Sequence, residues 1–110
     1  MPTAPAVLPG FDTDTDTVTR RQPPYVVLIH NDDYNGMDFV TAVLQKVFSY
    51  TLEKCFQLMK EAHETGVAVV WTGALEVAEL KADQIISCGP DPRSLSKDVQ
   101  PIRVTIEPTE

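Results

Sequence analysis

Between Asn31 and Asp38 the chain brings Asn31, Asp32, Asp33, Asn35 and Asp38 close together, with Met37 among them and Phe39-Val40 directly after. Amide and carboxylate oxygens are acceptors, so a corner built from them can face a cation while apolar neighbours form a wall. A charged amine carried on an apolar side chain needs that combination. His63, about one helix further along, adds an imidazole that accepts a hydrogen bond when neutral.

The same residues admit other readings. Asn and Asp are the commonest residues where a strand turns into a helix, so the corner also reads as a well-capped turn. His30, Asp32, Asp33 and His63 could ligate a cation, but neither an HxxxH nor an EF-hand spacing is present. A hydrolase would pair Asp33 with His63 as an acid–base couple, yet no serine or cysteine nucleophile stands in a recognisable elbow. His63 taken alone reads as an interfacial helix residue. The combination matters: an amide, carboxylates and an imidazole beside Met37, Val40, Met59 and Ala62 form a polar mouth over an apolar cup.

These groups must be positioned by the elements around them. Tyr25-Val26-Val27-Leu28-Ile29 is a continuous apolar run and predicts a central strand. Residues 31–35 carry turn chemistry, with Asn35 expected to cap the next helix and Asp38 to face back as a capping box. Phe39, Val40, Val43, Leu44, Val47 and Phe48 follow at helical spacing. Ser49-Tyr50-Thr51 breaks that helix, and Thr51 can cap a second one that buries Leu52, Cys55, Phe56, Met59 and Ala62. Gly66 suits the position after its last turn. Val67–Trp71 reads as a strand. Leu75, Ala78, Ala82, Ile85 and Ile86 make a third amphipathic helix ending near Gly89-Pro90, and a polar loop follows to Pro101. Ile102–Ile106 alternates as a last strand. The expected fold is a small α/β sandwich of order β-α-α-β-α-β, with three helices packed on a three-stranded antiparallel sheet.

Composition narrows the function classes. With 110 residues, 43% of them apolar, the chain suits one domain with one core. A net charge of −7 argues against non-specific nucleic-acid binding and against an anionic membrane surface. No apolar run approaches the roughly 20 residues that span a bilayer. Neither a basic start nor a long apolar stretch marks a secretory signal. Cys55 and Cys88 stand apart without metal spacing, which suits a reduced, cytoplasmic setting. Residues 1–22 hold Pro2, Pro5, Pro9, an alternating Asp-Thr tract and Arg20-Arg21, with little to bury; a disordered extension is expected there, and the folded domain over 23–110.

Read in order, several motifs resemble one family. They are Pro23-Pro24-Tyr25, Asn31-Asp32-Asp33-Tyr34, Met37-Asp38-Phe39-Val40, Val43-Leu44-Gln45-Lys46 and Phe48-Ser49-Tyr50, then Leu58-Met59, Ala62-His63, Gly66 and Glu76-Val77-Ala78-Glu79 with Lys81. Each is weak alone; the ordered set resembles ClpS, the bacterial adaptor that delivers N-degron substrates to a ClpAP-type AAA+ protease. The resemblance runs from residue 23 to about 88 and resumes at the last strand. It implies a non-enzymatic, monomeric adaptor without cofactor or metal. Its partners would be proteins with a bulky hydrophobic N-terminal residue (Phe, Tyr, Trp or Leu) and the N-terminal domain of a ClpA-like unfoldase.

By the same resemblance, Asn31, Asp33 and His63 hold the free α-amino group, with Asp32 in the same cluster. Ile29, Asn35, Met37, Val40, Met59, Ala62 and Ile102 line the side-chain pocket, with Met37 as its gate. Glu76 and Lys81 belong to the face that meets the unfoldase. An ammonium has three donors, and each hydrogen bond to a charged group contributes about 1.5–3 kcal/mol. Burying a Phe- or Leu-sized side chain adds about 1.5–3 kcal/mol. After association costs, affinities around micromolar follow. Acetylated termini and internal aromatics should fail, and a protonated His63 should repel the amine in mildly acidic solution.

Three departures stand out. Asn35-Gly36 replaces the family's frequent Thr-Pro, Ala62 replaces a frequent valine, and the loop from Cys88 to Gln100 is unlike the family's. Ala62 should widen the cup in favour of aromatic side chains, whereas Met37 should clash with β-branched ones. The competing functional reading is a stand-alone binder of N-terminal amino acids with no protease partner.

Overall fold

The computed structural model describes residues 23–95 and 97–109; the disordered extension expected over 1–22 lies outside them. Six elements follow in the expected order: β1 (Tyr25–His30), α1 (Met37–Phe48), α2 (Leu52–Thr65), β2 (Val67–Gly73), α3 (Leu75–Ser87) and β3 (Val104–Pro108). The sheet has the order β2-β1-β3, both pairings antiparallel. The continuous apolar run therefore does form the central strand, where Val27 and Ile29 are almost fully buried and Leu28 is 9% exposed. A register shift between Val27 and Leu28 skips Val70, so the extra residue lies on β2, an edge strand.

Helices α2 and α3 pack against the sheet, and α1 packs on both of them. Val43, Leu44 and Val47 of α1, Cys55 and Ala62 of α2, and Ala78 and Ile85 of α3 meet Val27, Ile29, Ala68 and Val70 in one core. Thr51 caps α2 as expected, its hydroxyl accepting from the Lys54 N–H at 3.1 Å. Gly66 closes that helix in the left-handed region at φ 95°, a conformation that favours glycine, and its N–H donates to Ala62 O at 2.8 Å.

The structure corrects several expectations. Helix α1 is capped at Gly36 without any side-chain cap bond, so neither Asn35 nor an Asp38 capping box closes it. Leu52 and Phe56 are 60% and 53% exposed rather than core. The buried stripe of α2 runs through Cys55, Met59 and Ala62, and Phe56 lies about 100° round the helix from Cys55. Ile86 likewise faces solvent. The last strand begins at Val104, two residues later than expected; Ile102 precedes it and is buried in the core.

Candidate functional site

A cleft of about 280 Å³ opens where the end of β1, the following turn, the start of α1, the last turns of α2 and the segment before β3 converge. It is lined by Ile29, Asn31, Asp32, Asp33, Asn35, Met37, Val40, Met59, Ala62, His63 and Ile102. Every pocket and amine-site residue expected from the sequence lies on this one surface. The volume falls just under the ~300–1,000 Å³ of small-molecule sites, so it suits one residue rather than an extended ligand.

Local geometry explains the convergence. On α1, Met37 and Val40 lie three residues apart and share a face; on α2, Met59 precedes Ala62 and His63 by three and four, with the same result. The Asn31 N–H donates to Gly66 O at 2.9 Å, which pins the end of α2 against the corner after β1. His63, in the last turn of α2, is thereby brought beside Asn31. Ile29, Met59, Ala62 and Ile102 are each at most 4% exposed and make the floor. Asn31, Asp33 and His63 are exposed at the rim, and Met37, 50% exposed, stands at the edge.

The polar groups differ in how far the fold already occupies them. Asp32 accepts three hydrogen bonds: Oδ1 from the N–H groups of Tyr34 (2.8 Å) and Asn35 (2.6 Å), and Oδ2 from Asn35 Nδ2 (2.9 Å). It holds the turn. Asp33 and Asn31 make no side-chain hydrogen bond with another described residue, so their acceptors face outward. The C-terminal end of α2, where carbonyl partial charges favour a cation, adds to that negative field. At the other side of the cleft the Asp91 carboxylate accepts from the Gly36 N–H at 3.0 Å and offsets the positive start of α1.

Three further lining residues, His30, Tyr34 and Gly36, were not among those expected to form the pocket or hold the amine, and behind them Asp91, outside the lining, supports the corner from the loop after α3. His30 and Tyr34 flank the acidic run and could have been found by position. Asp91 sits in a polar loop with no pattern, and its partners in the corner, Gly36 and Asn35, lie more than fifty positions away. Its hydrogen bonds with the N–H groups of Arg93 and Gly36 hold its carboxyl below the usual aspartate range. A depressed folded-state pKa stabilises the fold above the unfolded value, and that contribution fades as the solution becomes more acidic. Thermal melts from pH 6 downward should therefore fall more steeply below about pH 4 in the native chain than in Asp91→Ala. Parallel curves would deny Asp91 that role.

The lining includes no serine, threonine or cysteine. Burial pushes the Cys55 thiol up, so it stays protonated within the core. Among the described residues no group of three His, Cys, Asp or Glu side chains is arranged to hold a metal. No described helix is long and apolar enough to cross a membrane. What the arrangement offers is acceptors above a dry floor, which can grip a cation-bearing group.

Glu76 and Lys81 lie outside the cleft. Glu76 is exposed in the first turn of α3. Lys81 borders a separate surface with Lys46 and Gln84; its Nζ donates to Val47 O at 3.0 Å and lies 5.6 Å from the Phe48 ring centre.

Residues 20–100 match the family model of the ATP-dependent Clp protease adaptor protein ClpS. The chain is 40% identical to the adapter protein ClpS of Vibrio atlanticus (strain LGP32) over 79 residues, 70% of this chain and 74% of that one. It is 42% identical to the ClpS of Ruegeria sp. (strain TM1040) over 77 residues, 70% and 68% of the two chains. Among solved structures it is similar to Agrobacterium tumefaciens ClpS2 bound to L-phenylalaninamide. That likeness has a TM-score of 0.69 at 34% identity and covers 80% of this chain and 99% of that one.

Proposed function

The chain belongs to the ClpS family of ATP-dependent Clp protease adaptors, and on that premise we propose that its cleft grips proteins by a free N-terminal amine and a bulky hydrophobic first side chain. The observation that carries the proposal is the layering of the cleft. Outward-facing acceptors on Asn31 and Asp33, with the His63 imidazole, stand over a floor of Ile29, Met59, Ala62 and Ile102. The ligand in the Agrobacterium ClpS2 structure, L-phenylalaninamide, joins a free amine to a benzyl group. That chemistry suits this cleft.

In this reading Asn31, Asp33 and the His63 imidazole accept from the ammonium, and Asp32 acts through its charge and by holding the turn. Met37 and Val40 close on the first side chain from α1. A β-branched side chain puts two groups on Cβ where Met37 stands, so Ile and Val bind poorly. Residues 23–110 form the adaptor body. Glu76 and the surface around Lys81, away from the cleft, meet the N-terminal domain of the unfoldase, leaving the substrate held while it is handed over.

Fluorescence anisotropy with a Phe-starting peptide tests this directly. The free amine should bind near micromolar and its N-acetylated twin at least ~100-fold more weakly, because the ammonium's hydrogen bonds and charge are lost together. Twins starting in Leu, Trp, Ile and Gly rank the pocket. Ala62→Val, which narrows the cup, should shift preference from Phe toward Leu by about 3- to 10-fold. Equal binding of free and acetylated peptides would remove the proposal; an unmoved Phe-to-Leu ratio in Ala62→Val would remove only the part given to Ala62.

A further inference from the structure

Apart from Ile102, the loop after α3 has no part in the grip just described, yet it enters the corner at two points. Asn35 is 8% exposed, and each polar atom of its side chain is matched. Its Nδ2 donates to Asp32 Oδ2 and to Gln100 O, both at 2.9 Å, and its Oδ1 accepts from the Asp91 N–H at 2.8 Å. Asp91 is 6% exposed. Its Oδ2 accepts from the Gly36 N–H at 3.0 Å and its Oδ1 from the Arg93 N–H at 2.9 Å. Gly36 is the residue on which α1 begins, directly before Met37. Gln100 stands two residues before Ile102. The bonds therefore link three walls of one cleft: the Asp32 turn, the start of α1 and the segment that carries Ile102.

We propose that Asn35 and Asp91 are positioning residues that set the width of the cleft, so that the loop after α3 decides which first side chains fit. The proposal rests on the reading of this cleft as the seat of a substrate's first residue. Neither residue needs to touch the substrate's amine. Asp91 fixes where α1 starts, and hence where Met37 and Val40 stand. Asn35 holds the Ile102 segment to the same turn. A buried, fully matched network is rigid, and removing one member leaves its partners without hydrogen bonds. The walls then separate, and side chains that were distinguished by fit are distinguished less.

The backbone offers a test specific to this tie. Gly36 has φ −69°, inside the range that proline imposes. Proline has no N–H, so it needs no acceptor from Asp91. With Asp91 in place, however, a ring at position 36 would put carbon where the N–H now meets the carboxylate; even a Cβ there would lie 3.1 Å from Asp91 Oδ2. Asp91→Ala and Gly36→Pro should therefore each be harmful alone and compensate one another together.

In peptide binding, each single variant should lose roughly tenfold for a Phe-starting peptide and less for a Trp-starting one, lowering the Phe-to-Trp ratio. Discrimination of free from acetylated peptide should persist in Asp91→Ala. The double variant should recover most of the affinity and the native ratio. Asn35→Ala, which cuts the link to Gln100, should shift the same ratio without rescue by Gly36→Pro. Lowered melting temperatures with unchanged ratios, or a double variant that merely sums the singles, would overturn the proposal.

Hydrogen exchange on the ligand-free protein judges the tie apart from binding. Asp91→Ala should speed exchange at the Val40 amide, which donates to Gly36 O. Gly36→Pro should speed exchange at the Asp91 amide, and the double variant should slow both. If the native chain bound no free-amine peptide, the proposed function would fail while these amides still decided the tie. An amide unmoved by the change across from it would sink the tie itself.

Discussion

Asp33→Ala is expected to weaken binding of a Phe-starting peptide by roughly 10- to 150-fold, the loss of one hydrogen bond to a charged group. The same change should leave the thermal midpoint within about 2 °C of the native value, as for surface substitutions away from structural features. The two halves of the prediction come from one fact: the Asp33 side chain is exposed and bonds to no other described residue, so the fold does not use it. Asp32 provides the contrast. Its carboxylate holds Tyr34 and Asn35, and Asp32→Ala should lower both binding and melting temperature. Anisotropy and thermal melts on the pair separate the roles. Native affinity in Asp33→Ala would move the amine contact elsewhere and undo the assignment of the rim.

Leu44→Ala should reduce stability by about 2–5 kcal/mol, the range for removing a leucine from a packed interior. Leu44 is fully buried on the face of α1 that meets α2 and α3. Against a total of about 5–15 kcal/mol for a typical domain, such a loss is a large share of the stability. Urea unfolding reads it as a lower midpoint with an unchanged slope. Leu52→Ala, at a residue 60% exposed, should stay within about 0.5 kcal/mol of native. Equal losses at the two leucines would mean that α1 does not form the inner surface described.

Much of this was legible in local pattern. The apolar run from Tyr25 places the central strand because a strand in the middle of a sheet is better covered on its faces than one at the edge. Thr51 and Gly66 mark the ends of α2 through chemistry confined to one turn. The cleft residues could be gathered because Met37 and Val40, and Met59 with Ala62 and His63, obey helical spacing. Asn35 shows where local reasoning stops. Its type suits a cap, but its side chain is drawn away by Asp91 and Gln100, 56 and 65 positions along the chain. Spacing cannot reveal a partner at that range. Ile102 reads as the start of a strand because it alternates with Val104 and Ile106, whereas the cleft and core recruit it before strand pairing begins. Phe56 fits an apolar stripe one residue too wide, since helical spacing marks a face without marking its edges.

The central strand carries a consequence for how the protein is made. β1 is paired on one side by Val67–Gly73 and on the other by Val104–Pro108, so the first strand synthesised is the last to be satisfied. Pairings that span so much chain form slowly, because closing long loops precedes any gain from contact. During vectorial synthesis Tyr25–His30 leaves the ribosome well before either partner and waits unpaired. Ile102, one wall of the cleft, emerges after every other lining residue. On the proposed reading of the cleft, a nascent copy thus has no grip to offer passing N-termini, its neighbours' included. Competence to capture a client is acquired in the same step that closes the sheet.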